Sequence, residues 1–172
     1  MDIFETAVAV ELECAALYEV FAKRFSHDPE LVYFWRLYAE AERYHGATLR
    51  LHRAAFAPDL DTSTLPAGAD ALRTLLTEVR TQRERWEREV PTIDAALDSA
   101  QRIEDATAEV HGRTQFFRDL PGYEEILEKM VEEDRAHREV LAAIDAGLRA
   151  MENGPGVPLA EARQRIAGWI TK

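Results

Sequence analysis

The chain has 172 residues, 47% of them hydrophobic and 31% charged, which suits one helix-rich globular domain with a sizeable core. Its formal net charge of -11 argues against a nucleic-acid backbone or an anionic membrane as the main partner, because both select for a basic face. A single cysteine, Cys14, excludes an internal disulfide, a cysteine-rich zinc site and a four-cysteine iron centre.

The first residues, Met1-Asp2-Ile3-Phe4-Glu5, lack the basic and apolar regions of a secretory leader, and no apolar run approaches the roughly 18 residues of a membrane span. The expected setting is cytoplasmic. Residues 2 to about 26 carry a helical stripe through Phe4, Ala7, Glu11, Cys14, Ala15, Tyr18, Phe21, Ala22 and Phe25, so an acid falls on an apolar face. Ser26-His27-Asp28-Pro29 then breaks the chain, with Asp28 as a capping residue and Pro29 at the first position of a second helix that runs to about residue 55. So short a connection makes these two helices antiparallel neighbours. The second stripe runs Leu31, Phe34, Tyr38, Glu42, His45, Leu49 and aims a carboxylate and an imidazole inward, three residues apart on one face.

Residues 56 to 68 are dense in turn formers, and residues 69 to 90 return to a helical pattern in which Leu72, Leu75, Leu76, Val79 and Trp86 cover one face. This segment reads as a crossover helix lying on a bundle, with Arg80, Arg83, Glu84, Arg85, Glu87, Arg88 and Glu89 as an exposed face laced with pairs four residues apart. Pro91 ends it, and Thr92 is placed to cap a further helix. That helix, about 93 to 118, has the stripe Ile93, Leu97, Ala100, Glu104, Thr107, His111, Thr114, Phe117, and again an acid interrupts the apolar residues. Asp119-Leu120-Pro121-Gly122 precedes a helix of about 122 to 151 with the stripe Met130, Asp134, His137, Leu141, Ile144, Leu148. Asn153-Gly154-Pro155-Gly156 ends it, and Leu159 to Ile170 forms a short amphipathic segment. The expected organisation is all-α: a four-helix bundle over residues 1–151 with a long crossover containing an extra helix, then a loop and short helix over 152–172.

Acid-x-x-His occurs twice, at Glu42 with His45 and at Asp134 with His137, where five histidines and 32 acids in 172 residues give about 0.9 matches by chance. The spacing alone therefore decides little. An internal repeat decides more: a shift of 92 residues superposes Phe25 on Phe117, Pro29 on Pro121, Glu42 on Asp134, His45 on His137 and Leu49 on Leu141, and a shift of 93 superposes Glu11 on Glu104. The two matches are one pattern used twice, as helix, proline-marked turn, helix, with an inward acid first and acid-x-x-His second. Di-iron carboxylate bundles have this arrangement.

Over about residues 4 to 148 the chain resembles the ferritin-like superfamily, and within it the rubrerythrin-like proteins, with Glu11 followed seven residues later by Tyr18 matching the first-helix ligand and its tyrosine. The resemblance implies an antiparallel ferritin-like bundle and a metal set of Glu11, Glu42, His45, Glu104, Asp134 and His137, with Tyr18 beside it as a hydrogen-bond or electron donor. Asp134 is one methylene shorter than the acid usual at its place, and Glu133 is the alternative ligand. Thr107 stands where rubrerythrins carry an extra Glu, and no Cys-x-x-Cys pair supplies a rubredoxin-like electron carrier, so electrons would come from another donor.

Four acids and two histidines converging in a core cannot all stay ionised without cations, because each buried charge costs several kcal/mol and like charges raise one another's pKa. Mixed carboxylate and imidazole ligands suit iron, manganese or zinc, and iron or manganese would add redox chemistry. The implied activity is that of a di-iron oxidase or peroxidase acting on Fe(II), O₂ or hydrogen peroxide, in a homodimer or larger homo-oligomer. Two other readings compete: iron storage, and a bundle with one metal or none serving as a binding or structural module. Tyr18 also reads as a core tyrosine with a satisfied hydroxyl, Cys14 as a small core residue, and His111 as an outer partner or extra ligand, or else a hydrogen-bonded interior histidine. His52, near a helix end, is expected in solvent.

Overall fold

In the computed structural model the described residues are 3–56, 67–113 and 123–153, without the side chains of 56, 67, 68, 111–113, 123–127, 131, 134, 145 and 147–153. Among them the chain is all-helical: α1 (Ile3–Arg24), α2 (Pro29–Phe56), α3 (Ala67–Arg88), α4 (Ile93–Arg113) and α5 (Tyr123–Asn153). The expected amphipathic segment from Leu159 to Ile170 lies outside the described residues, as does the end of the fourth predicted helix beyond Arg113.

Local chemistry sets the helix boundaries. The turn after α1 is closed by Asp28 N donating to the Phe25 carbonyl at 2.9 Å. Asp28 Oδ1 then accepts from the backbone N–H of Glu30 at 3.0 Å and of Leu31 at 3.2 Å, satisfying two of the donors that a helix start leaves open. Pro29 fits at the first position because it has no N–H to satisfy. Thr92 does the same for α4, where its Oγ1 accepts from Ala95 N at 3.2 Å.

Among the described residues α1 is the most enclosed element. It lies antiparallel to α2, as Arg53 to Glu5 at 3.3 Å and Arg43 to Glu19 at 2.9 Å show by pairing opposite ends. On another side it meets α3, whose buried Leu72, Leu75, Leu76, Val79 and Trp86 join the core of Phe4, Leu17, Phe21 and Trp35. The charged run on α3 does more than face solvent. Arg83 to Glu87 at 2.6 Å and Arg85 to Glu89 at 2.9 Å are the expected pairs four residues apart, but Arg80 and Arg83 also both bond Glu13 of α1 at 2.9 Å. Arg24, at the end of α1, donates to the carbonyls of Trp86 at 3.0 Å and of Glu87, covering open acceptors at the C-terminus of α3 with a positive charge. Helix α3 is thus fixed along α1 by polar contacts at its rim and apolar contacts beneath. Trp86 carries the packing onward: its ring lies 6.3 Å from that of Phe21, and its Nε1 donates to Ser99 Oγ of α4 at 3.2 Å.

Helix α5 packs on α4 and touches α2, with Tyr38 Oη of α2 donating to the His137 carbonyl of α5 at 2.9 Å. Side chains of α1, α2, α4 and α5 consequently meet in the space between them. Among the described residues no helix is long and apolar enough to cross a membrane.

Candidate metal centre

Where those four helices meet, the core turns acidic. Glu11 of α1, Glu42 of α2 and Glu104 of α4 are 0%, 2% and 3% exposed, and His45 of α2 is 1% exposed. They stand on the apolar stripes of their helices, so the periodicity that buries Leu49, Leu97 and Ala100 buries them as well. Gly46 follows His45 on α2 and faces α1. A Cβ built there would lie 3.5 Å from Glu11 Cβ, so the two backbones approach closely where Glu11 and Glu42 face each other.

His45 Nδ1 lies 3.4 Å from Glu42 Oε2 and 3.7 Å from Glu11 Oε2. His137 Nδ1 lies 3.7 Å from Glu42 Oε1 and 3.8 Å from Glu104 Oε2. The donor atoms fall into two groups, Glu11 with Glu42 and His45, and Glu42 with Glu104 and His137, each spanning no more than 4.8 Å. Glu42 belongs to both, with one oxygen turned to each imidazole.

These groups fit a cation. Glu42 Oε1 and His137 Nδ1 are buried without a hydrogen-bond partner among the described residues. Unpaired buried polar atoms of this kind are costly and call for an explanation, of which an ion is one. Their separation of 3.7 Å is long for a hydrogen bond, yet it is within what two atoms each about 2.0–2.2 Å from one ion can span.

The electrostatics point the same way. Burial, and then the charge of Glu104, push the Glu42 carboxyl well above the ordinary carboxylate range, although the hydrogen bond with His45 pulls in the opposite direction. For His45 burial opposes the charged ring, but hydrogen bonds and charge from Glu11 and Glu42 overcome it and push the imidazole up to about 12. The cluster therefore holds positive charge strongly, as a proton on His45 or as a metal ion that would displace it.

Tyr18 stands against the second group. It is fully buried, its Oη donates to Glu104 Oε1 at 2.5 Å, and burial followed by the charges of Glu104 and Glu42 raises its phenol well above 10.0. It keeps its proton and uses it to hold Glu104. The Tyr18 ring stacks on Trp35 at 5.8 Å and meets the edge of Tyr38 at 5.7 Å, while Tyr38 lies 4.5 Å from the His137 ring. Aromatic faces thus wall one side of the centre.

Of the six expected ligands, Glu11, Glu42, His45, Glu104 and His137 come together. Asp134 is on α5, one helical turn before His137, with its side chain outside the described residues, and so is that of His111 on α4. Glu133, the alternative to Asp134, sends its Oε2 to His45 Nε2 at 2.9 Å, the far side of that ring from Glu11 and Glu42. Thr107 is buried, with its hydroxyl donating to the Ile103 carbonyl at 2.9 Å. Cys14 is buried and forms no disulfide among the described residues.

His52 corrects the sequence reading: it is 2% exposed. Helix α2 continues to Phe56, and the start of α1 lies beside that last stretch, where Arg53 bonds Glu5 and stands 5.4 Å over the Phe4 ring. Nearness to a helix end says little about exposure when another helix begins alongside.

The chain matches no protein-family model, no curated protein and no solved structure.

Proposed function

We propose that the chain is a ferritin-like four-helix bundle of the rubrerythrin type that binds two metal ions, iron by preference, and acts as an oxidase or peroxidase on Fe(II), O₂ or hydrogen peroxide. The observation that carries this reading is the position of Glu42, buried, with one oxygen toward His45 and the other toward His137. A carboxylate placed so is suited to lie between two cations, and Glu11 with His45 on one side and Glu104 with His137 on the other would complete two half-sites. Iron bound there would supply one-electron redox chemistry and open positions for a small oxidant.

The protein's own part is positional. Glu11, Glu42 and Glu104 offset the positive charge of the ions, and their burial keeps water from competing for them. Tyr18 fixes Glu104 through the bond at 2.5 Å and stores a proton at Oη beside the second half-site. Tyr38, bonded to the His137 carbonyl and packed against its ring, sets the imidazole's position.

The test is metal content together with the absorption spectrum of protein purified without chelator. About two iron ions per chain and an absorption change on exposure of the Fe(II) form to O₂ are expected. Metal below about half an ion per chain would leave the polar cluster as a purely structural network and sink the proposal.

A further inference from the structure

We infer that Glu133 is a positioning residue rather than a ligand: it holds His45 by the ring nitrogen that faces away from the acids, and so makes the half-site of Glu11, Glu42 and His45 the tighter of the two. This inference rests on the metal-binding reading above and adds an order of loading to it.

The two nitrogens of His45 have different surroundings. Nδ1 faces Glu42 at 3.4 Å and Glu11 at 3.7 Å, whereas Nε2 donates to Glu133 Oε2 at 2.9 Å. A hydrogen bond at one nitrogen fixes the proton there and leaves the lone pair of the other for a metal, and it raises the basicity of that lone pair. The second oxygen of Glu133 is engaged too, since Oε1 lies 3.7 Å from Lys129 Nζ, itself 3.3 Å from Tyr44 Oη. With one oxygen on a buried imidazole and the other on a surface lysine, the 36% exposed Glu133 spans the wall of the site and faces away from its interior.

Among the described residues His137 has no such support. Its Nδ1 faces Glu42 and Glu104, but among the described residues no acid is paired with its other ring nitrogen. Its ring is set by Tyr38, through a 4.5 Å ring contact that fixes position without fixing the tautomer. Among the described residues the half-sites therefore share Glu42 and differ in the group behind the imidazole, and removing a group of that kind costs about 10- to 100-fold in metal affinity.

Zn(II) alone is the probe, being free of redox change and suited to NMR. In a calorimetric titration the wild-type chain should bind Zn(II) in two resolved events. Glu133→Ala should weaken the tighter one about 10- to 100-fold and leave the weaker event and the total stoichiometry unchanged. Glu133→Gln, whose amide oxygen can still accept from Nε2–H, should restore most of the loss. Long-range ¹H–¹⁵N spectra of the Zn(II)-loaded chain should show the His45 Nε2 proton in wild type and Glu133→Gln, and lose it to exchange in Glu133→Ala. Circular dichroism establishes that each variant is folded. Unchanged affinity in folded Glu133→Ala overturns the inference and leaves the metal centre standing, and so does a stoichiometry reduced by one ion, which would make Glu133 a direct ligand. A wild-type chain that binds no Zn(II) overturns the metal-binding reading and this inference with it.

Discussion

Replacing Glu42 by Gln should make the metal-free chain more stable and the metal-loaded chain less responsive to metal. Glu42 is buried, its Oε1 lacks a hydrogen-bond partner among the described residues, and burial together with the Glu104 charge raises its pKa well above 4.5. For a carboxyl raised on folding, the stabilising effect of the proton is fully present below the unfolded value of 4.5 and is lost as pH rises through the folded value. By neutral pH, well past the unfolded value, much of the cost of burying this carboxyl is felt, whether as an ionised group or as the proton taken up on folding, on the order of 1–3 kcal/mol, and the neutral amide removes much of it. At about 2–4 °C per kcal/mol for a chain of this size, the metal-free variant should melt about 2–12 °C above wild type near neutral pH. Metal at about 100 times its dissociation constant should stabilise wild type by about 2.7 kcal/mol, or about 5–11 °C, and the variant by much less, since Gln carries no charge for either half-site. Thermal melts followed by far-ultraviolet circular dichroism, with and without Zn(II), read both effects. Below the unfolded value of 4.5 the gap between the metal-free forms should close, because the carboxyl is then protonated whether folded or not. A metal-free variant less stable than wild type near neutral pH, or one that keeps the full metal shift, refutes this account of Glu42.

Three further outcomes are expected. His45→Ala and Glu104→Ala should each lower metal content sharply, while His52→Ala should bind metal as wild type does yet lose on the order of 2 kcal/mol of stability, because His52 is buried but belongs to neither donor group; elemental analysis beside urea unfolding separates the effects, and equal metal in all three would refute the site. Tyr18→Phe removes the donor at 2.5 Å from Glu104 Oε1, so it should cost about 1–3 kcal/mol in urea unfolding and leave metal stoichiometry unchanged. Gly46→Ala should be accommodated, its Cβ meeting Glu11 Cβ at 3.5 Å and Leu12 Cδ2 at 3.7 Å, and should raise stability by about 0.5–1 kcal/mol, whereas Gly46→Leu should part α1 from α2 and reduce Zn(II) affinity measured by calorimetry.

The features legible in the sequence were those that a single helix or a single turn decides. Asp28-Pro29 and Thr92 announce helix starts because capping is local chemistry, and Glu11, Glu42, His45 and Glu104 announce themselves by interrupting apolar stripes that the fold does bury. Contacts between helices were harder to read. Arg80 and Arg83 look like solvated surface in the sequence, yet both reach Glu13, because a stripe says which face is apolar and not which helix lies beside its rim. The same limit applies at Glu133. One residue along a helix turns a side chain by about 100°, so a position beside the inward stripe reads as flank. A glutamate on that flank is long enough to reach round His45 from outside, and its place at Nε2 depends on the antiparallel register of α2 and α5, which Tyr44 with Lys129 and Tyr38 with His137 record. The internal repeat brought the two halves together because it compares helix pairs rather than single helices, but it aligns Glu42 with Asp134 and so passes over the residue beside it. If Glu133 acts through His45 alone, the two halves of the repeat have diverged in the group behind each imidazole, and the order in which the ions load is set by that divergence.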